Sequence, residues 1–293
     1  MSDQRRSIKF LISNSSSLPT LPGILTKISR LEAQKDSSTD DFARVINSDQ
    51  ILAAKVLRLV NSPFYGFSRR VSTISNALIL LGVNVIKSLV LSSSIFEMME
   101  KSFLGLWEHS LATAAAANVI ATKLDLPDIE EISTAALLHD IGKVVIKIHL
   151  KDGYEQMLED GSVQEFGAYE AEHQALGTEH AEVGQWLAEN WYLPEKLLEP
   201  IACHHDVEKS QEHRTATAVV HYADALIKAR GVGFSGDDFV PSIQIAAREE
   251  LQIDEEQLTE IIAELEDRLV DVRNFSLDIQ ENEQEDTAQE PSQ

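Results

Sequence analysis

His139 and Asp140, in the run Ala135-Ala-Leu-Leu-His-Asp-Ile-Gly-Lys143, set an imidazole beside a carboxylate at the end of an apolar helix. Either residue alone could simply end a helix. Four further segments strengthen the pair, because each presents a ligand type on a helix face that otherwise reads as core: His109, His180, His204-His205, and His221 with Asp224. His109 shares the i, i+3, i+7 face with Ala112, Ala116 and Ile120, and His180 shares one with Val183, Gly184 and Leu187. Asp224 is followed at i+3 by Ile227. A carboxylate on such a face is expensive to bury unless it is paired or metal-bound.

One inward histidine is ordinarily a hydrogen-bonded core residue. Several helices that each turn an imidazole or carboxylate inward instead suit a borderline divalent metal, namely iron, manganese or zinc, as one or two ions. His149, His173 and His213 lie in polar, Gly- or Glu-rich stretches and read as surface. Cys203, single among apolar neighbours, reads as a small buried filler rather than a nucleophile.

The elements that must carry these residues are helical. Apolar residues recur near a period of 3.6 over 24–31, 39–60, 74–81 and 84–99, which predicts an all-α chain. Asp36-Ser-Ser-Thr-Asp40 supplies an N-cap, and Asn61-Ser-Pro-Phe-Tyr-Gly66 is a turn that stops the preceding helix. Gly105 interrupts the pattern and suggests a boundary. The parts expected are an N-terminal segment (1–17), an N-terminal helical bundle (18–104), a helical ligand-bearing half (105–275) packed against it, and an acidic disordered tail (276–293). Gly231-Val-Gly-Phe-Ser-Gly236 reads as a mobile stretch, and 255–272 as an amphipathic helix with Leu258, Ile261, Ile262, Leu265 and Leu269 on one face.

The order His109, His139-Asp140, Asp224 resembles the ligand series of the HD superfamily of metal-dependent phosphohydrolases. His180 and His204-His205 resemble the second-metal ligands of its HD-GYP branch, the cyclic-dinucleotide phosphodiesterases. The first half is more specific: Leu18-Pro-Thr-Leu-Pro22, Val45-Ile-Asn-Ser-Asp-Gln50, Leu57-Arg-Leu-Val-Asn-Ser-Pro-Phe-Tyr-Gly66 and Ser75-Asn-Ala-Leu-Ile-Leu-Leu-Gly82 are similar to the HDOD family, a bacterial signalling output module related to HD domains. The resemblance covers residues 18–228. It implies an HD-like helical half in which one metal is held by His109, His139, Asp140 and Asp224, with Asp140 bridging to a second held by His180, His204 and His205. Asp140 and Lys143 are then the catalytic candidates, the lysine placing its ammonium on a substrate phosphate. Two features depart from the phosphodiesterase branch. No Gly-Tyr-Pro segment follows His205, and Gly105 stands where some members carry a third-metal carboxylate.

The implied function is signal transduction by an HDOD-type regulator that works through a signalling protein partner or a nucleotide or other phosphate ligand. The alternative is an active metal-dependent phosphohydrolase, and homo-oligomerisation stays open. Composition bounds the partners further. A formal net charge of -23 argues against a general nucleic-acid surface. One cysteine fits a reducing compartment, and neither a signal-peptide pattern nor an unbroken membrane-spanning run is legible, so a cytoplasmic location away from membranes is expected. Arg44, Lys55, Arg58, Arg69 and Arg70 make the first half less acidic. They read as solvated helix surface, with a partner-binding face as the alternative.

Overall fold

A computed structural model describes residues 3–14, 23–34, 36–63, 65–102, 105–159 and 162–288. The Leu18–Pro22 block, Phe64 and the last five residues fall outside them. Among the described residues the regular structure is helical throughout, as the periodicity requires. The first part comprises α1 (Asp3–Asn14), α2 (Gly23–Glu32), α3 (Thr39–Asn47), α4 (Gln50–Val60) and α5 (Ile74–Ser102). The second begins with α6 (Leu106–Lys123), α7 (Ile129–Leu138), α8 (Ile141–His149), α9 (Lys151–Glu159), α10 (Ser162–Phe166) and α11 (Ala168–Leu176). It continues with α12 (His180–Asn190), α13 (Glu195–Cys203), α14 (Arg214–Arg230), α15 (Ile245–Leu251) and α16 (Glu255–Ala288).

Local chemistry sets the boundaries. Ser38 and Asp41 form a reciprocal capping box at the start of α3. The helix expected over 39–60 is two helices, because the Asp49 carboxylate accepts from Leu52 N–H at 3.0 Å and starts α4 anew. α5 is broken at Gly82, whose φ of 77° and ψ of 168° are non-helical. This break bears on the membrane expectation. Residues 74–93, with mean hydropathy 1.9, are long and apolar enough to cross a bilayer by length and composition, yet 61% of the stretch is buried inside the protein.

α6 is the central helix. The expected amphipathic stripe is instead buried on every side from Leu106 to Ala121, Glu108 excepted, because α7, α14 and α16 all pack on it. A run of four alanines, 114–117, permits that close approach. α16 covers α6 with Ile261, Leu265, Leu269 and Val272, whereas Ile262 is 37% exposed. Its backbone stays helical to Ala288, where a disordered acidic tail was expected from 276. Low apolar content removes packing but leaves the good helix propensity of Glu and Gln.

One hydrophobic cluster runs from Ile8 to Val272, so the parts on either side of Gly105 share a core. Polar contacts fasten the same joint. The turn after α4 places Tyr65 Oη 3.0 Å from Thr134 Oγ1 of α7, and Arg268 of α16 donates to Pro63 O at 2.7 Å. Lys87 of α5 is only 2% exposed and donates to Glu32 Oε2 at 2.9 Å and to Tyr192 O at 3.0 Å, joining α2, α5 and the α12–α13 turn. Lys87→Ala leaves that carbonyl unpaired above a cavity. A loss of about 2 to 3 kcal/mol is expected in urea unfolding, against no change if the lysine were spare.

Candidate metal centre

Six helices bring the candidate ligands to one place. His109 comes from the first turn of α6, His139 and Asp140 from the α7–α8 junction, His180 from the start of α12, His204 and His205 from the end of α13, and Asp224 from the middle of α14. All except His205 are buried to 2% exposure or less. They form two groups, Asp140 with His180, His204 and His205, and His109 with His139 and Asp224, and within each group the ligand atoms lie within 4.8 Å of one another.

Asp140 stands between the groups. Its Oδ2 lies 3.4 Å from His139 Nε2 and 3.7 Å from His109 Nε2, while Oδ1 lies 3.2 Å from His180 Nε2 and 3.9 Å from His204 Nε2. Asp224 Oδ1 completes the first side at 3.1 Å from His109 Nε2 and 3.7 Å from His139 Nε2. Asp140 occupies the N-cap position of α8 but makes no capping bond with its side chain. The carboxylate is turned to the cluster instead.

The outer ring nitrogens set the tautomers. Nδ1–H of His139 donates to Ala136 O at 2.6 Å, and that of His204 to Ile201 O at 2.8 Å. Nδ1–H of His180 donates to Glu172 Oε2 at 2.7 Å. Each Nε2 therefore faces inward, as in a metal-ligating histidine held by a carbonyl or carboxylate behind it. His139 Nε2, His204 Nε2, Asp140 Oδ1 and Asp224 Oδ1 are buried without a hydrogen-bond partner. Four such atoms around one spot, each costing about 1 to 3 kcal/mol if left so, fit a cation. His221 is different: it donates from Nδ1 to His204 O and accepts Gln244 N–H at Nε2, so both nitrogens are satisfied and it props the loop.

Charge follows the geometry. Burial lowers His109, and burial together with neighbouring imidazoles holds His204 and His205 well below the usual histidine range. Burial would also lower His139, but the Asp140 and Asp224 carboxylates raise it to about 9. Burial would raise both aspartates. His139 and Lys143 keep Asp140 well below the ordinary carboxylate value, and Lys228 with His109 and His139 does the same for Asp224. The ionised carboxylates and the neutral imidazoles of His109, His204 and His205 are in the protonation states a divalent ion requires, whereas a bound ion would have to displace the proton that the carboxylates favour on His139 and His180.

Lys143, expected to reach a substrate phosphate, is 2% exposed and donates to Asp140 Oδ2 at 2.8 Å. The cation that faces an opening is Lys228. With Tyr169, His205, His221, Asp237 and Phe239 it lines a cleft of about 220 Å³. Asp237 fastens the cleft wall, accepting from Lys228 Nζ at 3.3 Å, Ala168 N–H at 3.1 Å and Phe239 N–H at 2.9 Å. The glycine-rich stretch read as mobile is likewise tied down: Phe234 N–H donates to Gly105 O at 3.0 Å. A Cβ on Gly233 would sit 2.3 Å from His109 N, so the backbone rests directly on the ligand helix. Among the other polar candidates, His173 is exposed and His149 and His213 are half-buried. Cys203 is half-buried, its thiol pushed up to about 11 by burial, which suits a filler and not a nucleophile.

An all-α fold with a buried His/Asp cluster at the α7–α8 junction defines the HD-like class. The chain belongs to the HDOD domain family, whose pattern it matches over residues 18–207. The fold is similar to that of an HDOD domain protein of unknown function from Geobacter sulfurreducens, with 28% identity, TM-score 0.69, and coverage of 92% of this chain and 96% of that one. It also resembles a phosphohydrolase candidate from Shewanella amazonensis SB2B, at 20% identity and TM-score 0.66, covering 92% and 97% of the two chains. A Treponema pallidum protein is 26% identical over 216 residues, 72% of this chain, and the match spans 42% of that relative's length.

Two residues outside the sequence-predicted set build the site. Glu172 is 1% exposed and accepts both His180 N–H and Nδ1–H, at 2.7 Å each. Its only trace in the sequence is a carboxylate eight residues before a histidine. Gly142, inside the His-Asp-Ile-Gly-Lys run, lets α8 meet α12: a Cβ there would lie 1.9 Å from His180 O and 2.7 Å from Gly184 N. Gly142→Ala must therefore push His180 away from Asp140. It should destabilise the fold by about 3 kcal/mol and reduce bound metal in elemental analysis; wild-type metal content with a mere loss of stability would separate packing from ligand placement.

Proposed function

We propose that the chain is an HDOD signal-transduction module whose His/Asp cluster holds one or two divalent transition metal ions, iron, manganese or zinc, and so fixes the mutual arrangement of six helices. The observation that carries this reading is the set of unpartnered buried ligand atoms on both sides of Asp140. His109, His139, Asp140 and Asp224 would hold one ion, and Asp140 with His180, His204 and His205 the other. A metal-ordered surface then engages a signalling protein partner in the cytoplasm. Purified protein should carry metal at up to two ions per chain, and Asp140→Ala should remove most of it, since Asp140 serves both groups. Unchanged metal in that variant by elemental analysis would sink the assignment.

The cleft at His205 favours a second reading, a metal-dependent phosphohydrolase acting on a nucleotide or other phosphate ester. A divalent ion bound there supplies positive charge to a phosphoryl oxygen and acidifies water. Lys143 keeps Asp140 ionised, which makes it a positioning residue. Lys228 presents its ammonium to the cleft, and Asp237 holds that ammonium in place. Tyr169, whose ring centroid is 4.6 Å from that of His205, bounds the entrance. At about 220 Å³ the cleft is smaller than most small-molecule sites, of roughly 300 Å³ upward, and it suits a compact phosphate ester. Cyclic dinucleotides should therefore not be turned over at a rate above that of the Asp140→Ala variant. If a small ester such as p-nitrophenyl phosphate is cleaved, Lys228→Ala should lower the rate per bound metal about tenfold or more, with metal content measured alongside because Lys228 is also the counter-charge of Asp224, whereas an equal rate per bound metal would remove Lys228 from the site.

A further inference from the structure

A large cleft unused by this function lies on the first part, far along the chain from every candidate ligand. It measures about 740 Å³ and is formed by α4, the loop 67–72 and Phe275 of α16. Its apolar wall is Leu57, Phe67, Val71 and Phe275, and its charged rim is Arg58 and Arg70. Both arginines are exposed, and neither has an ion-pair partner among the described residues. That is notable in a chain of net charge -23, where acidic side chains are abundant and most other cations take one. Leaving two guanidiniums free beside aromatic rings keeps their donors available to an incoming anion.

The wall is a built surface and not a fluctuating gap. Asn61 accepts Val71 N–H at 2.7 Å and donates to Val71 O at 2.8 Å and to Leu57 O at 2.7 Å, which ties the loop to α4 at the back of the cleft. Phe67 is stacked on Tyr65 with centroids 5.9 Å apart. Volume, composition and charge therefore agree. The cleft is in the range of small-molecule sites, an aromatic face takes a planar base, and paired guanidiniums take phosphate oxygens.

We propose that this cleft binds a nucleoside phosphate, with Arg58 and Arg70 on the phosphates and Phe67 and Phe275 against the base. The site is separate from the metal centre, and the proposal does not rest on the metal reading. Its floor loop is continuous with Tyr65, which contacts Thr134 of α7, the helix that ends at His139.

Fluorescence anisotropy of N-methylanthraniloyl-ATP on the full chain tests the site. Saturable binding is expected, with ATP displacing the probe better than inorganic tripolyphosphate does. Arg58→Ala/Arg70→Ala should weaken binding by about tenfold or more. Arg69→Ala, which removes an equal surface charge outside the cleft, should leave it nearly unchanged, as should added EDTA. Absence of saturable binding would overturn the proposal. So would equal competition by tripolyphosphate, equal weakening by Arg69→Ala, or loss of binding with EDTA, which would move the ligand to the metal centre. Circular dichroism of the double variant guards against misfolding, and because both side chains are exposed a native spectrum is expected. Self-association in sedimentation that disappears in the double variant, without probe binding, would instead assign the cleft to an acidic segment of a second copy and overturn the nucleotide reading.

Discussion

The ionised carboxylate of Asp140, 1% exposed at the junction of two helices, is the charge around which the second half of the molecule is arranged. A carboxylate taken out of water loses several kcal/mol of solvation, and only close opposite charge returns it. Lys143 and His139 provide that charge from the carboxylate's own helix junction, and His180 from α12. The two oxygens are not equivalent: Oδ2 faces His109, His139 and Lys143, and Oδ1 faces His180 and His204. One side chain thereby ties α6, α12 and α13 to the α7–α8 junction. Asp224 repeats the arrangement in smaller form, with Lys228 one turn further along α14 as its principal counter-charge.

Such contacts need helix backbones closer than ordinary side chains permit. The molecule obtains this with small residues at the crossing points. Alanines 114–117 let three helices press on α6, and Gly142 meets the His180 carbonyl and the backbone of Gly184. Gly233 does the same for the loop that rests on His109. The glycine of the His-Asp-Ile-Gly-Lys run is thus a packing residue, and it lets His180 Nε2 of α12 come within 3.2 Å of Asp140 Oδ1.

The helical class, an N-cap within residues 36–40, the break near Gly82 and the inward direction of His109, His180 and His204 were all legible, because each is encoded by neighbours within two helical turns. What escaped depends on residues distant in the chain. Glu172 lies beside exposed His173 in a polar stretch and gains its role only when α11 delivers it to His180. The burial of Lys143 follows from α8 packing on α12 and α5, and that of Lys87 from the approach of α2 and the α12–α13 turn. Periodicity could mark α6 as helical but not as central, since a stripe of alanines reads the same whether its other face meets water or a third helix. The reading of 276–288 failed for the converse reason: a segment without apolar anchors can still be helical when its propensity is high and it continues a helix already nucleated by packing.

The division at Gly105 marks a change of role more than a gap in the structure. Tyr65, at the end of the Asn-Ser-Pro-Phe-Tyr-Gly turn, rests on Thr134 in the helix that delivers His139 and Asp140. α16 packs along the helix that carries His109 and reaches back with Arg268 to the carbonyl of Pro63. Because cores are close-packed and deform little, contacts of this kind hold the turn and the ligand-bearing helices in one arrangement, so the arginine cleft keeps its wall whether or not the ligand cluster is filled.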